Sequence, residues 1–545
     1  MQLSEKLKKF FKGDILEDEQ TLQTYSRDAS LFEVKPKIVV FPKDPEDIKN
    51  LVKFVAENPS EKLSLTARSG GTDMTGGPLN QSIIVEFVKY FNKIKEVGED
   101  YAVTEPGVYY RDFEKETLKH GLLFPSYPAS REICTVGGIA ANNSGGEKSL
   151  VYGKTENYVK RLKTILSDGN EYTFEALDQK GLDKKLSQKD FEGEIYRKVH
   201  KLIMDNEELL KEAKPKVSKN SAGYYLWNVW DGNTFNMCKL LVGSQGTLGF
   251  NTEITFRLIK PEKHTKLLVA FLKEKDIQKL GEIVNQVLTY DPESFESYDD
   301  NTLKLAVRFF PDVLKFFKTD LISLGLEFIP EAWMSLTGGM PKLVLMAEFT
   351  GDSEEDINTR AIACQDHLKQ FNLRTRIARP GNDTKKYWVI RRESFNLLRH
   401  HIQGKHTAPF IDDIIVDPKY LPEFLPKLNA LLAKYPKLIY TVAGHVGNGN
   451  FHIIPLMDLK EKDAHETIEK LSMEVYDLVL EYKGSITGEH NDGIIRSPYL
   501  KKMYGEKVYS LFKEVKKIFD PNTIFNPGKK VGGTISYSMH HLEKD

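Results

Sequence analysis

Three histidines and one carboxylate in two short glycine-rich segments are the residues of this sequence best suited to chemistry. The first segment, residues 444–452, reads GHVGNGNFH and contains His445 and His452. The second is Gly488-Glu489-His490, in a chain that has only 13 histidines among 545 residues. Imidazole and carboxylate groups bind catalytic divalent metals and transfer protons. The two segments therefore predict a metal site or an acid–base site.

The spacing within the first segment predicts a reversal of the chain. His445 and His452 are seven residues apart, and on one unbroken strand their side chains would point to opposite faces. The Gly-Asn-Gly-Asn sequence between them is typical of a tight turn. A turn there would bring both imidazoles to one place, so we expect one site rather than two scattered histidines.

Composition limits the functional classes. The length suggests two or three domains, and a formal net charge of −1 gives no reason to expect a nucleic-acid partner. The cysteines Cys134, Cys238 and Cys364 are far apart and form no CxxC pair, so this chain alone would build no iron–sulfur cluster. Few cysteines also favour a reducing, cytoplasmic compartment. No apolar run of about 18 residues predicts a membrane span, although peripheral attachment to the inner face of the membrane stays open.

Four parts of the chain differ in pattern and must position these residues. Residues 1–33 read as polar helices, and residues 34–262 alternate short strands with helices and glycine-rich loops. Residues 263–500 alternate amphipathic helices with strands, which predicts an α+β domain with an antiparallel sheet. Residues 501–545 read as a lysine-rich helix followed by turns.

One helix is predicted in detail near the start of the second part. Asp44-Pro45-Glu46-Asp47 is a helix-capping sequence. The apolar residues that follow at helical spacing are Ile48, Leu51, Val52 and Val55. We expect these four side chains to face the core.

Three glycine-rich loops in the second part carry serine, threonine or asparagine. They are RSGGTDMTGG at 68–77, TVGGIAANNSGG at 135–146 and GSQGTLG at 243–249. Glycine lets successive backbone N–H groups approach an anion, and hydroxyl groups add donors. Neither the G-x-G-x-x-G motif nor the complete phosphate-loop motif is present, so neither standard nucleotide site fits. Three such loops in one domain favour a phosphate-bearing ligand.

The order and spacing of several motifs produce a family resemblance. The motifs are PKDPED at 42–47, RSGGT at 68–72, TVGG at 135–138, YG at 152–153 and GSQGTLG at 243–249. They resemble the PCMH-type FAD domain of the vanillyl-alcohol-oxidase superfamily. The histidine segments resemble its D-lactate and D-2-hydroxyglutarate dehydrogenase branch, which includes the glycolate oxidase large subunit. The resemblance implies an α+β fold with a two-subdomain FAD-binding domain, a ferredoxin-like cap domain and a C-terminal helical return to the flavin.

The resemblance also implies residues that bind FAD. The FAD pyrophosphate would be held by Arg68, Ser69, Gly70, Gly71 and Thr72. The flavin and its ribityl chain would be lined by Pro128, Thr135, Gly137, Gly138, Asn142 and Gly145. Ile254 would contact the adenosine part, and Asn526 would approach the isoalloxazine. Thr72 stands where some relatives have a histidine bonded to the flavin, and threonine cannot form that bond, so a noncovalent FAD is expected.

By the same resemblance, the histidine segments supply a metal site and a base. His445, His452 and Glu489 match the ligands of a divalent metal, with zinc or manganese expected, and His490 matches the general base. The metal would polarise the substrate, the histidine would remove the hydroxyl proton, and the α-hydrogen would leave as hydride to flavin N5. The implied substrate is a small D-2-hydroxy acid such as D-lactate or D-2-hydroxyglutarate.

One arginine is a candidate partner for the substrate carboxylate. The sequence WVIRRE at 388–393 is similar to a W-x-x-R-E segment of the family, which implies Arg392 as a bidentate partner of the carboxylate. A helix-surface arginine paired with Glu393 or Asp413 is the alternative. Ile411 stands about where the hydroxyglutarate branch has a lysine, so the identity of the acid stays open.

Electron transfer and assembly also stay open. Residues 488–499 resemble large relatives that carry a fused cysteine-rich iron–sulfur domain, which this sequence lacks. The expected electron acceptor is therefore a quinone, a cytochrome, an electron-transfer flavoprotein or a separate iron–sulfur subunit, and a homodimer is possible. Two other classes remain: an FAD oxidase of an alcohol or sugar that uses oxygen, and a non-catalytic flavin subunit of a larger redox complex.

Overall fold

Three β-sheets organise the chain, and each gathers a consecutive part of the sequence. The computed structural model describes residues 2–308, 339–401, 406–461 and 463–543. In the first sheet the strands follow the order β1-β2-β4-β3. They are β1 (Asp14–Leu16), β2 (Ile38–Phe41), β3 (Leu65–Arg68) and β4 (Ile83–Glu86). Strand β4 is parallel to β2 and β3, and β1 is antiparallel to β2.

The second sheet is antiparallel and has the order β5-β6-β10-β7-β8-β9. Its strands are β5 (Ile94–Val97), β6 (Tyr101–Thr104), β7 (Val159–Ile165), β8 (Glu171–Leu177), β9 (Phe235–Asn236) and β10 (Phe250–Arg257). The first two sheets together hold all three glycine-rich loops, because each loop joins or follows their strands.

The third sheet is also antiparallel and carries the histidine segments. Its order is β14-β11-β13-β12-β17-β18-β15, and β16 pairs with β18. Its strands are β11 (His264–Leu272), β12 (Ser294–Asp299), β13 (Leu343–Gly351), β14 (Arg374–Ile377), β15 (His406–Thr407), β16 (Ile414–Ile415), β17 (Ile439–His445) and β18 (Asn450–Met457).

Helices cover the sheets and connect them. Those before the third sheet are α1 (Leu3–Leu7), α2 (Glu19–Tyr25), α3 (Pro45–Glu57), α4 (Tyr110–Lys119), α5 (Val136–Asn142), α6 (Ser149–Tyr152), α7 (Gln179–Ser187), α8 (Phe191–Asp205), α9 (Glu207–Ala213) and α10 (Cys238–Leu241). Those that follow are α11 (Leu280–Leu288), α12 (Asp300–Arg308), α13 (Glu354–Leu368), α14 (Asn382–His401), α15 (Leu421–Leu432), α16 (Ala464–Glu481), α17 (Gly493–Arg496), α18 (Leu500–Phe519) and α19 (Ile535–His540).

Helix α3 shows how local sequence specifies an element. The Asp44 side chain accepts a hydrogen bond from the Asp47 N–H and caps the helix, and Pro45 occupies the first turn. The four apolar residues predicted to face the core are all buried. Both predictions for this helix are confirmed.

The two ends of the chain join the first sheet. The N-terminal segment, expected to be helical, contains helices α1 and α2 with strand β1 between them, and β1 extends the sheet at β2. Near the other end, the Leu65 N–H donates to Ile524 O at 2.7 Å, and the Asn526 N–H donates to Leu65 O at 2.8 Å. The C-terminal segment therefore returns to β3, immediately before the first glycine-rich loop.

The predicted α+β class and the antiparallel sheet of the second half are confirmed. Within the described ranges, no helix is long and apolar enough to cross a membrane.

Candidate functional site

A β-hairpin brings the two histidines of the first segment together. Strands β17 and β18 pair so that Ala443 lies opposite His452 and His445 opposite Asn450. The turn between them ends at Gly449, whose φ of +69° is a conformation that favours glycine. The imidazole centres of His445 and His452 are 5.3 Å apart. The predicted chain reversal is confirmed.

A buried carboxylate lies behind each of the three histidines. His445 Nδ1 is 2.6 Å from Glu296 Oε1, on neighbouring strand β12. Asp412 has no exposed surface, and it bonds His452 Nδ1 at 3.0 Å through Oδ1 and His490 Nδ1 at 2.7 Å through Oδ2. A carboxylate on Nδ1 fixes the orientation of an imidazole and directs Nε2 to the other side.

The neighbouring residue Asp413 shapes the second segment. Its Oδ2 accepts hydrogen bonds from Thr487 Oγ1 at 2.6 Å, from the Glu489 N–H at 2.8 Å and from the His490 N–H at 2.7 Å. Because all three donors belong to one short stretch of chain, Asp413 holds Glu489 and His490 against the hairpin. The centres of the His452 and His490 rings are 4.9 Å apart.

The resulting cluster brings together side chains of the types that bind divalent cations. One ligand atom from each of Asp413, His452, Glu489 and His490 lies within 4.8 Å of the others. His445 Nε2 is 3.3 Å from Glu489 Oε2, so the third histidine borders the same space. Imidazole nitrogens combined with carboxylate oxygens are a ligand set that suits zinc or manganese. This set differs from the predicted ligands: it adds Asp413 and His490, which was predicted as the base, and it does not include His445.

The two stacked imidazoles differ in proton affinity. Burial lowers the pKa of His452 below its usual value. Burial acts in the same direction on His490, but the carboxylates of Asp412 and Asp413 outweigh it and raise the pKa of His490 to about 9. In the cation-free protein, His490 therefore binds its proton more tightly than His452 does.

Glu489 is a stable anion in this environment. Burial alone would raise its pKa, but His445 and the ammonium of Lys219 hold the pKa of Glu489 well below its usual range. Burial would lower the pKa of His445, but the carboxylates of Glu296 and Glu489 outweigh burial and raise that pKa. The cluster thus presents a charged carboxylate to any bound cation.

The first glycine-rich loop presents unused backbone donors. The N–H groups of Ser69, Gly70, Gly71 and Thr72 donate to no protein acceptor among the described residues. The loop is half-buried, and Gly71 has a φ of +67°. Consecutive unpaired N–H groups in such a turn form a cradle for an anion, which fits a pyrophosphate. The guanidinium of Arg68, which was also predicted to bind the pyrophosphate, donates to Tyr25 O at 3.2 Å and to Arg27 O at 2.6 Å.

The second glycine-rich loop lies beside the first. Thr135 caps helix α5 by accepting from the Gly138 N–H at 3.2 Å, and its hydroxyl donates to Ser69 Oγ at 2.7 Å. Gly137 is pressed against the backbone of Pro106, where a side chain would have no room. Pro128 is half-buried next to the end of this loop. The two loops predicted to contact one FAD are therefore in direct contact with each other.

The second loop also reaches the histidine cluster. A Cβ atom on Gly145 would lie 3.0 Å from Glu489 Oε1, so the loop backbone packs directly against the predicted metal ligand. Next to it, Asn491 Nδ2 donates to Asn142 O at 3.1 Å. The two predicted halves of the site are thus adjacent.

Two other residues expected at the FAD are buried and make contacts within the protein. Ile254 is fully buried in β10, between Thr104 on β6 and Leu162 on β7. Asn526 is 1 % exposed, and its amide joins three segments of the FAD-binding half. The amide nitrogen donates to Gly77 O at 2.9 Å and to Gln245 O at 2.7 Å, and the amide oxygen accepts from Thr66.

Arg392, the predicted partner of the substrate carboxylate, forms an ion pair with Glu147. Its Nε donates to Glu147 Oε2 at 2.9 Å, and its Nη2 contacts Glu147 Oε1. Glu147 belongs to the loop that carries Gly145, and Arg392 lowers its pKa to about 2 against the effect of burial. Asp413, one partner considered from the sequence, is occupied elsewhere. A substrate carboxylate at Arg392 would have to replace Glu147.

Several residues that contact the histidine segments were not predicted from the sequence. Glu296, Asp412 and Lys219 contact the histidine segments from positions far away in the chain. Arg496, also fully buried, donates to Asp412 O at 2.6 Å. The one available signal was the acidic pair Asp412-Asp413 next to buried apolar residues, since buried carboxylates need partners.

Comparison with known families agrees with this architecture. Residues 36–175 match the family described as FAD binding domain, and residues 260–530 match the family described as FAD linked oxidases, C-terminal domain. The fold is similar to 4-ethylphenol oxidase from Gulosibacter chungangensis, with a TM-score of 0.66 and 15 % identity over 95 % of this chain and 94 % of that one. It is also similar to p-cresol methylhydroxylase, with a TM-score of 0.65 and 16 % identity over 96 % and 94 %. The chain belongs to the FAD-linked oxidoreductases that these two families describe, and its fold is the one shared by PCMH-type flavoproteins.

Several curated relatives are named as oxidoreductases of 2-hydroxy acids. D-2-hydroxyglutarate dehydrogenase of Pseudomonas putida is 28 % identical over 95 % of this chain and 50 % of that protein. Glycolate oxidase subunit GlcD of Bacillus subtilis is 26 % identical over 93 % and 91 %. D-lactate dehydrogenase of Archaeoglobus fulgidus is 25 % identical over 91 % of each. The chain spans about half the length of the P. putida protein and of three other D-2-hydroxyglutarate dehydrogenases that it matches.

Proposed function

We propose that this protein is an FAD-dependent dehydrogenase that oxidises a D-2-hydroxy acid to the 2-oxo acid. The observation that carries the proposal is the contact between the two halves of the site, where the Gly145 backbone packs against Glu489. A flavin on the glycine-rich loops and a substrate on the histidine cluster would then be neighbours. The names of the relatives, which include D-lactate and D-2-hydroxyglutarate dehydrogenases, support the same reaction class.

In the proposed site, His445, His452 and Glu489 hold a divalent cation, zinc or manganese, and the glycine-rich loops hold FAD noncovalently. When bound, the cation supplies polarisation of the substrate hydroxyl and repels the proton of His490, and FAD supplies the hydride acceptor. His490 accepts the hydroxyl proton at Nε2, because Asp412 occupies its Nδ1. Asp412 keeps the imidazole oriented and stabilises the imidazolium that results.

Arg392 is proposed to bind the substrate carboxylate by exchanging partners with Glu147. The Arg392 side chain is about one-third exposed, which would let an incoming carboxylate approach it. We expect Arg392→Lys to raise KM about tenfold or more, because lysine cannot make the bidentate contact. Glu147→Gln should instead lower KM by removing the competing carboxylate. Glu293→Gln is the matched control, since Glu293 joins the same loop through Lys148 without touching Arg392. An unchanged KM in both variants would contradict this role.

The function is tested by anaerobic bleaching of the flavin absorbance. We expect at least one of D-lactate, glycolate or D-2-hydroxyglutarate to bleach the flavin of the zinc- or manganese-loaded protein. His490→Ala should keep the yellow FAD spectrum and lose bleaching by about 10²-fold or more. Failure of all three acids after metal loading would refute the dehydrogenase. Rapid peroxide formation on turnover would instead favour the oxidase.

The electron acceptor is proposed to be a separate carrier: a quinone, a cytochrome, an electron-transfer flavoprotein or an iron–sulfur subunit. The protein is proposed to be cytoplasmic or peripheral on the membrane. Cell fractionation tests the location, and reoxidation of the bleached flavin by each carrier class tests the acceptor.

A further inference from the structure

A buried lysine outside the predicted site residues holds one oxygen of Glu489. The side chain of Lys219 has no exposed surface, and its ammonium is hydrogen-bonded to Glu489 Oε1. The other oxygen, Oε2, faces His445 Nε2 at 3.3 Å. The two oxygens of this carboxylate therefore have different surroundings: one contacts a fixed positive charge, and the other faces the histidine cluster.

The chain around Lys219 is held against both histidine segments. Residues 218–223 form a loop without regular structure after helix α9. In this loop, Ser218 Oγ accepts from Asn448 Nδ2 at 2.9 Å, in the turn of the hairpin. The Ser221 N–H donates to Thr487 O at 3.0 Å, just before the second histidine segment. These bonds fix the backbone on both sides of Lys219 and so limit where its ammonium can go.

Breaking the ion pair between Lys219 and Glu489 would be energetically costly. A buried ammonium that loses its carboxylate is strongly destabilising, because nothing replaces the lost hydration. Among the described residues, Glu489 is the only carboxylate that forms an ion pair with Lys219. If Glu489 turned both oxygens towards a divalent cation, Lys219 would be left buried and unpaired.

We propose that Lys219 is a positioning residue that restricts Glu489 to binding a divalent cation through Oε2 alone. This inference rests on the proposed function, in which Glu489 is a ligand. Ligation by a single oxygen leaves a coordination position for the substrate, which a catalytic metal site needs. The ammonium also repels the cation, so Lys219 lowers the affinity of the site while it keeps a position open.

Titration of the FAD-loaded, metal-stripped protein with Co²⁺ tests the proposal. In Lys219→Met the charge is lost and Oε1 is free, so we expect Co²⁺ to bind about tenfold more tightly or better. The visible absorption of bound Co²⁺ should weaken, because a bidentate Glu489 raises the coordination number above four. Lys219→Arg keeps the charge and the donor, and it should stay within about threefold of the wild type in affinity, with the same spectrum.

Lys516→Met is the matched control for loss of a buried lysine. The Lys516 side chain is 7 % exposed and pairs with Asp520 at 2.6 Å, away from the histidine cluster. This variant should lose stability without changing the Co²⁺ affinity or spectrum. If Lys219→Met does not fold with bound FAD, Lys219→Gln takes its place. Glutamine removes the charge but keeps an amide donor for Oε1, so tighter Co²⁺ binding is the result expected of it.

Unchanged or weaker Co²⁺ binding by the folded Lys219→Met or Lys219→Gln protein would overturn the proposal, as would the absence of Co²⁺ binding by the wild type. A wild-type protein that binds Co²⁺ but is bleached by none of the hydroxy acids would overturn the proposed function alone.

Discussion

At the scale of single residues, Asp412 connects the two chemical roles of the site. One of its oxygens bonds His452, a proposed ligand, and the other bonds His490, the proposed base. Each imidazole is thereby oriented by the same buried anion. The proton affinity of His490 and the geometry of His452 therefore depend on one side chain, and a change at Asp412 should affect both.

Asp412→Asn should lower the pKa of His490 in the cation-free protein, where that pKa is about 9. The fall should be at least about one unit, since burial then acts with less opposition from negative charge. In the wild type, the folded pKa lies above the usual value of 6.5. The contact therefore stabilises the fold fully below about pH 6.5, and this contribution is lost as pH rises through about 9.

Histidine NMR titration measures this pKa directly, and unfolding at several pH values measures the linked stability. Asp458→Asn, at the far end of the hairpin, is the control and should leave the titration unchanged. A His490 pKa that is the same in Asp412→Asn and the wild type would show that the carboxylate does not set it.

At the scale of elements, the β17–β18 hairpin determines whether the histidines form a site. The Gly-Asn-Gly-Asn sequence predicted the reversal correctly because turn preference is a local property. The glycine-rich loops were recognisable for the same reason. The sequence could not indicate that β12 would lie beside β17 and place Glu296 behind His445, because that pairing joins residues 149 positions apart.

Gly449→Ala should weaken both the fold and the site. Gly449 has a φ of +69°, and an added Cβ would lie 2.0 Å from Val416 O, so the turn must shift. We expect a loss of about 2–3 kcal/mol in the free energy of unfolding. Co²⁺ affinity should fall about tenfold as His445 and His452 separate.

Gly232→Ala is the control for backbone strain without a steric clash. Both variants are compared by chemical denaturation and by Co²⁺ titration. Gly232 has a φ of +95°, and an added Cβ would meet no atom within 4 Å, so this substitution adds backbone strain alone. It should cost about 1 kcal/mol and leave Co²⁺ affinity intact. Equal effects of the two substitutions on Co²⁺ binding would argue against the role assigned to the turn.

At the scale of the whole molecule, distant parts of the chain meet around the proposed flavin site. The C-terminal segment returns to β3. There the Asn526 side chain forms hydrogen bonds with Thr66 in β3, with Gly77 in the first glycine-rich loop and with Gln245 in the third. Two ion pairs join residues that directly follow the second glycine-rich loop to the second half of the chain: Glu147 with Arg392, and Lys148 with Glu293. We therefore expect FAD binding to depend on the return of the C-terminal segment to β3.

Asn526→Ala should destabilise the protein by about 2–4 kcal/mol, because buried carbonyl groups lose their donor. FAD should dissociate faster, which fluorescence of the released flavin measures. Asn92→Ala is the control: Asn92 also donates to two carbonyl groups, at 3.1 Å each, but it is exposed, so its loss should cost less than about 0.5 kcal/mol. Equal FAD release from both variants would contradict this role of Asn526.

The residue types at the site and the turns that carry them could be predicted from the amino-acid sequence. The histidines, Glu489 and the glycine turns could be recognised because residue chemistry and turn preference depend on near neighbours. The partners of these residues could not be predicted, because they come from distant parts of the chain. Lys219 reaches Glu489 across 270 positions, and Glu147 reaches Arg392 across 245. Such partners are chosen by the packing of sheets and loops, in which buried charges must be matched, and no local pattern encodes that choice.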